Sequence, residues 1–149
     1  MDDDGLRVNG GGFHVDPWRP VPLAVVTHAH ADHARPGSGR YLASAASKPV
    51  LQHRLGPEAV IDTLEPGEVR RFGDVDVSLH PAGHVLGSSQ VRLCSPARGE
   101  TWVVSGDYKR DPDPTCDPFE VVPCDVFIPE ATFALPIYRW PSAEAEIEG

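Results

Sequence analysis

"VVTHAHADHARPGS", residues 25–38, packs three histidines and an aspartate into six positions, 28–33. It overlaps "PLAVVT" (22–27), a continuous apolar run of the kind that a strand buried on both faces requires. At a strand end, residues i and i+2 share a face, so His28 and His30 can converge on one cation. The small Ala29 and Ala31 leave room for the imidazoles. Asp32 and His33 are adjacent and must diverge. That suits the turn into a helix, expected to begin near Asp32, where the pair can serve a second cation. Imidazole with carboxylate favours Zn²⁺ or Mn²⁺ over Ca²⁺ or Mg²⁺.

Three other strand ends carry matching chemistry. In "HPAGHVLGSS" (80–89), His84 stands between Gly83 and Gly87 and offers the first cation a third imidazole. In "VVSGDYK" (103–109), Asp107 follows a strand and Gly106, and a carboxylate there can bridge two cations. Asp16 in "FHVDPW" (13–18) suits holding a ligand in place better than binding metal itself. His80 ends an alternating strand and reads as a packed or surface residue, and His14 and His53 read as structural.

The rest of the chain frames this constellation. A length of 149 residues fits one domain, and 40% hydrophobic residues suffice for a core. Sixteen prolines and 14 glycines imply many turns and short elements rather than a helical bundle. The pattern predicts strands over 13–16, 23–27, 41–42, 69–72, 75–80, 90–94, 101–105 and 126–128, with a second helix near 47–55. This is an α/β or α+β chain with a dominant sheet. "PSAEAEIEG" (141–149) reads either as a helix starting at Ser142 or as a frayed acidic tail.

Composition narrows location and partners. No apolar stretch approaches the roughly 20 residues of a membrane span, and "MDDDGLRV" is acidic where a signal peptide is basic and then apolar. Cys94, Cys116 and Cys124 form no CxxC pair, which suits small buried thiols in a reducing compartment. A cytoplasmic protein without a membrane partner is expected. The net charge of −9 is concentrated at the two ends, so residues 5–143 carry only −3 and a phosphate substrate stays open.

The order HxHxDH, then His in "PAGHVLGS", then Asp in "SGDYK" resembles the metallo-β-lactamase fold, an αββα sandwich with a two-metal site. "VDPWRPV", "THAHADHARPGS", "SGDYKRDPDPTCDPF" and "EATFALPIYRWP" resemble a narrower branch, the ligase-associated DNA exonucleases of the β-CASP group. The likeness runs from about Leu6 to Ser142. It implies that His28, His30 and His84 hold one metal and Asp32 and His33 the other, with Asp107 bridging. It implies further that Asp16 is an orienting aspartate and that Glu130 opens the β-CASP region, though Pro129 stands where a hydroxyl residue is expected. Zn²⁺, or Mn²⁺, would be the cofactor.

Proteins of that branch are longer, and their later half supplies further histidines and the rest of the sandwich; no histidine follows His84 here. The resemblance therefore implies an N-terminal half-domain over 1–128 and the start of a β-CASP region over 129–149. It also leads us to expect that this chain encodes mainly one sheet, self-associates through its uncovered face, and is inactive as a nuclease alone. The implied reaction is phosphodiester hydrolysis by a hydroxide bridging two metals, on DNA, alongside ligase and helicase repair partners. Lys109 and Arg110 are candidates for backbone contacts, or ordinary solvated charges. The alternatives are a catalytically silent metal-binding fragment, an RNA-processing nuclease and a thioester hydrolase.

Overall fold

The computed structural model describes residues 2–131. Two five-stranded sheets account for its strands. The first contains β1 (Leu6–Val8), β2 (Phe13–Val15), β3 (Ala24–Val25), β4 (Tyr41–Ser44) and β5 (Ile61–Leu64), side by side in that order. The β1–β2 pair is antiparallel, and β2 to β5 run parallel. The second contains β6 (Val69–Phe72), β7 (Val75–Pro81), β8 (Ser89–Ser95) and β9 (Glu100–Val104) as an antiparallel meander, with β10 (Val126–Ile128) parallel to β9.

Alternation along the strands decides which layers form. In the first sheet Phe13, Val15, Val25, Leu42 and Leu64 point inward, onto Val75, Val77, Leu79, Val91, Leu93 and Val104 of the second. The intervening residues Ala24, Val26, Tyr41, Ala43 and Ile61 point the other way and pack under α1 (Lys48–Leu55) through Leu51. This is why the β3 run is apolar without interruption: Ala24, Val25 and Val26 are all buried, on alternate faces. The helix carries Pro49 in its first turn, where its missing N–H costs nothing, and ends at Gly56.

The expectation of mainly one sheet is corrected here, and with it the uncovered inner face. The first sheet is built from strands of only two to four residues, too short for a period-2 pattern to show, yet it covers the second. What stays open is one side of the sandwich. An apolar cleft of about 410 Å³ separates β1 from β9 and β10, between Leu6, Val8, Leu93, Trp102, Val104 and Ile128. At its Pro81/Gln90 end the outer face of the second sheet meets the segment 106–125, which forms neither helix nor strand. Gln90 Nε2 donates there to the Glu120 carbonyl at 2.7 Å, and the Glu120 N–H donates to the Pro81 carbonyl at 3.0 Å.

The helix expected near Asp32 is a single turn. The N–H groups of His33 and Ala34 both donate to the His30 carbonyl, at 3.2 and 2.8 Å. Pro36 follows at once, and the residue before a proline is pushed out of the helical region. The tail over 142–149 lies outside the described residues. No described helix is long and apolar enough to cross a membrane.

Candidate metal centre

The parallel strands β2 and β3 and the mutually parallel β7 and β9 set the site's position. Asp16 follows the carboxyl end of β2, and Thr27 with the histidine run follows β3. His84 follows β7, Asp107 follows β9, and Glu130 follows β10. The two sheets are joined at this rim, where the Ser89 N–H donates to the Thr27 carbonyl at 2.8 Å and the Ser44 hydroxyl to the Gly87 carbonyl at 2.6 Å. Gly87 has φ +72°, and a Cβ there would meet the Ser47 nitrogen at 2.4 Å, so only glycine lets the His84 loop close onto the first sheet.

His28, His30, His84 and Asp107 offer one ligand atom each, all within 4.8 Å of one another. His28 Nε2 lies 3.7 Å and His84 Nε2 3.5 Å from Asp107 Oδ2, and His84 Nε2 is 3.4 Å from His30 Nδ1. The other carboxylate oxygen, Oδ1, is 3.3 Å from His33 Nε2, which lies 3.6 Å from Asp32 Oδ2. Asp107 thus faces His28 and His84 with one oxygen and His33 with the other.

His28 Nε2 tests whether a cation fits. It is fully buried and has no hydrogen-bond partner, which is costly for a nitrogen lone pair unless something binds it. Burial, and then the neighbouring His33, His30 and His84, push the His28 pKa down to about 3. The ring is therefore neutral at pH 7, as a metal ligand must be. Burial also lowers His84. His33 goes the other way: burial opposes its charge, but the hydrogen bond to Asp16 and the charges of Asp16, Asp107 and Asp32 outweigh it and raise its pKa. Burial acts to raise Asp32, but its backbone hydrogen bond and the histidines His33, His28 and His30 leave it lowered. A donor set of imidazoles and carboxylates built around the buried His28 suits Zn²⁺ or a similar transition metal.

Asp16 stands behind the ligands. Its Oδ1 accepts the Thr27 N–H at 2.8 Å, and its Oδ2 accepts the Thr27 hydroxyl at 2.6 Å and lies 2.8 Å from His33 Nδ1. Its φ of +43° makes it the one non-glycine among the described residues in the left-handed region. Such conformations cluster at functional sites because the surroundings enforce them. Thr27 is the residue that sequence reasoning passed over. Its signal was a hydroxyl directly before the first histidine.

The remaining candidates fall outside this cluster. His80 lies 3.0 Å from both Ser78 Oγ and Glu120 Oε1, tying the strand to the covering segment. His14 Nε2 lies 3.1 Å from Asp2 Oδ2, and His53 is exposed on α1. Lys109 Nζ lies 3.3 Å from Asp113 Oδ2, and Arg110 is exposed. The Glu130 N–H donates to Ser105 Oγ at 3.3 Å, while the "YRWP" string (138–141) lies outside the described residues. All three cysteines are free.

No protein-family model matches the chain. A curated protein of Opitutus terrae named "Probable DNA ligase" is 30% identical over 138 residues, covering 92% of this chain and 13% of that protein. The chain thus spans about an eighth of the length of the curated relative it matches. A subclass B3 metallo-β-lactamase from a soil metagenome library superposes with a TM-score of 0.54 at 19% identity, over 72% of this chain and 57% of that one. A Cronobacter sakazakii metallo-β-lactamase motif mutant gives 0.51 at 20% identity, over 62% and 43%. The chain has the metallo-β-lactamase fold, over part of those structures' length.

Proposed function

We propose that the protein is a metal-dependent phosphodiesterase acting on DNA, an exonuclease working with DNA ligation. The observation that carries the hydrolase part is Asp107, whose two oxygens divide between the His28/His84 side and the His33 side. His28, His30 and His84 would hold one ion, Asp32 and His33 the other, and Asp107 would belong to both. Ions so held supply Lewis acidity, bringing the pKa of water toward neutrality and offsetting charge on phosphoryl oxygens. The protein's own part is to disfavour the charged forms of His28 and His84 by burial and to orient His33 through Asp16. The ligase name of the Opitutus relative and the strings "SGDYKRDPDPTCDPF" and "EATFALPIYRWP" support DNA as the substrate. Residues 1–128 then form the metallo-β-lactamase part and 129–149 open a β-CASP region. Ligase and helicase are the proposed partners, Lys109 and Arg110 the proposed backbone contacts, and Glu130 a proposed orienting acid.

The test is a substrate screen of Zn²⁺- or Mn²⁺-loaded protein against end-labelled DNA, RNA and a thioester. Stepwise shortening of DNA from an end is expected when the later half of the branch's proteins is supplied with the chain, and not from the chain alone. Thioester turnover with DNA left intact would reject the nuclease reading, and RNA cleavage alone would move it to RNA processing. Tight metal binding with no turnover of any of them would make the chain a silent metal-binding unit.

A further inference from the structure

We infer that Thr27 is a positioning residue, whose hydroxyl selects the imidazole tautomer of His28 and so leaves Nε2 bare toward the cation. This rests on the metal-centre reading. The Thr27 hydroxyl has a single proton, and Asp16 Oδ2, 2.6 Å away, is a carboxylate oxygen that only accepts. That proton is therefore committed to Asp16. The hydroxyl oxygen also lies 3.1 Å from His28 Nδ1 and can offer that nitrogen only lone pairs. Nδ1 must then carry the hydrogen of the neutral ring, which leaves Nε2 without one. Nε2 is the buried, unpartnered atom of the site.

The alternative tautomer is a real competitor. With the hydrogen on Nε2, His28 would point an N–H at Asp107 Oδ2, 3.7 Å away, and the proton would sit where the cation belongs. The Thr27 hydroxyl tips this choice, and it relays to His28 the orientation that Asp16 gives directly to His33 at 2.8 Å. One carboxylate thereby sets two ligands of two different subsites. Gly106 keeps the hydroxyl in place, because a Cβ there would meet Thr27 Oγ1 at 2.5 Å and its Cβ at 2.6 Å. Thr27 is itself buried, so water cannot substitute for its hydroxyl.

The experiment uses the full chain as wild type, Thr27→Val and Thr27→Ser, with folding followed by circular dichroism. Zn²⁺ affinity is read by competition with a chromogenic chelator. The tautomer is read from ¹⁵N-imidazole spectra of the metal-free protein at neutral pH. Thr27→Val should weaken Zn²⁺ by about 10–100-fold, the range for ligand-orienting partners, and move the His28 hydrogen toward Nε2. Thr27→Ser, which keeps the hydroxyl, should restore both. A folded Thr27→Val that binds Zn²⁺ like wild type overturns the inference, as does a Thr27→Ser as weak as Thr27→Val. Wild-type His28 carrying its hydrogen on Nε2 overturns it whether or not either variant folds. A wild-type chain that binds no Zn²⁺ overturns the metal-centre reading, while the nitrogen spectra still decide the tautomer separately.

Discussion

Asp107 Oδ1 lies 3.3 Å from His33 Nε2, while the other oxygen of the same carboxylate is the one near His28 and His84. In the two-ion reading a single side chain would therefore couple subsites of unequal quality. The first has the buried His28 at its base; the second relies on Asp32, whose side chain is 74% exposed. Zinc titration of the wild type should show one tight ion and one weaker one. Asp107→Ala should lose the weaker ion, loosen the tighter one and abolish nuclease activity. His28→Ala should reduce occupancy of the first subsite, whereas His53→Ala, on the exposed side of α1, should leave it unchanged. Retention of two equally tight ions in Asp107→Ala would sink the shared-carboxylate account.

The sandwich makes its own demand on stability. Leu79 is 1% exposed and sits in the core between the sheets, whereas Val121 is 81% exposed. Leu79→Ala should destabilise by about 2–5 kcal/mol, the cost of removing a buried leucine side chain and leaving a cavity. Val121→Ala should stay within about 0.5 kcal/mol. Urea unfolding curves decide this: a Leu79→Ala cost below about 1 kcal/mol would mean that the two sheets do not pack as described.

The site was more legible in the sequence than the fold, for a physical reason. Candidate ligands announce themselves by residue type, and His28, His30, His84 and Asp107 lie in loops that follow β3, β7 and β9, with Asp32 and His33 one turn further on, so their proximity follows once those strands are found. The eight strands read from the sequence are all present. The two missed, β1 (Leu6–Val8) and β5 (Ile61–Leu64), are "LRV" and "IDTL", too short and too polar to show a period. Missing them hid two of the first sheet's five strands, one at each edge. Thr27 was invisible for a different reason. A hydroxyl gains its role only from which acid and which ring lie within reach, and Asp16 is eleven positions away.

Acid should weaken the metal-free protein through His28. Its folded pKa is held at about 3 against 6.5 unfolded. Between those values the unfolded chain binds a proton that the folded chain refuses, so this contribution is present above pH 6.5 and is lost as pH falls toward 3. A tenfold change in proton affinity corresponds to about 1.4 kcal/mol, so the full effect is on the order of a few kcal/mol. His84, also lowered, acts in the same direction. His33 is raised and opposes them: its contribution is complete below 6.5 and is lost as pH rises through its folded value. The urea midpoint of chelator-treated protein should fall from pH 7 to pH 5. His28→Leu should flatten that fall and His33→Leu should steepen it. A midpoint independent of pH in the wild type would contradict the buried, neutral His28.

The same surroundings order the loss of metal. Protons compete for His33 at higher pH than for His28, because Asp16, Asp107 and Asp32 favour the charged His33 ring while burial disfavours a charged His28. On acidification from pH 7.5 the His33 subsite should empty first and the His28 subsite later. Zinc stoichiometry measured at stepped pH checks this, and simultaneous release of both ions would count against two distinct subsites.

DNA contacts at the segment after Asp107 can be separated by their salt dependence. Lys109 Nζ lies 3.3 Å from Asp113 Oδ2, and hydrogen bonds from the Thr115 side chain and backbone, then that of Lys109, hold the Asp113 carboxyl down at about 2. Lys109 therefore already has an anionic partner, and a phosphate must compete for it. Arg110 is exposed beside it. If both meet the DNA backbone, Arg110→Ala should reduce the slope of log affinity against log salt by about one, as for one lost phosphate contact. Lys109→Ala should change it less. Asp113→Ala should tighten DNA binding, because it frees Lys109 for phosphate. These titrations belong in the Asp107→Ala background, so that the DNA stays intact during the measurement. Identical slopes in all three variants would remove Lys109 and Arg110 from the DNA-binding surface and leave them as solvated charges.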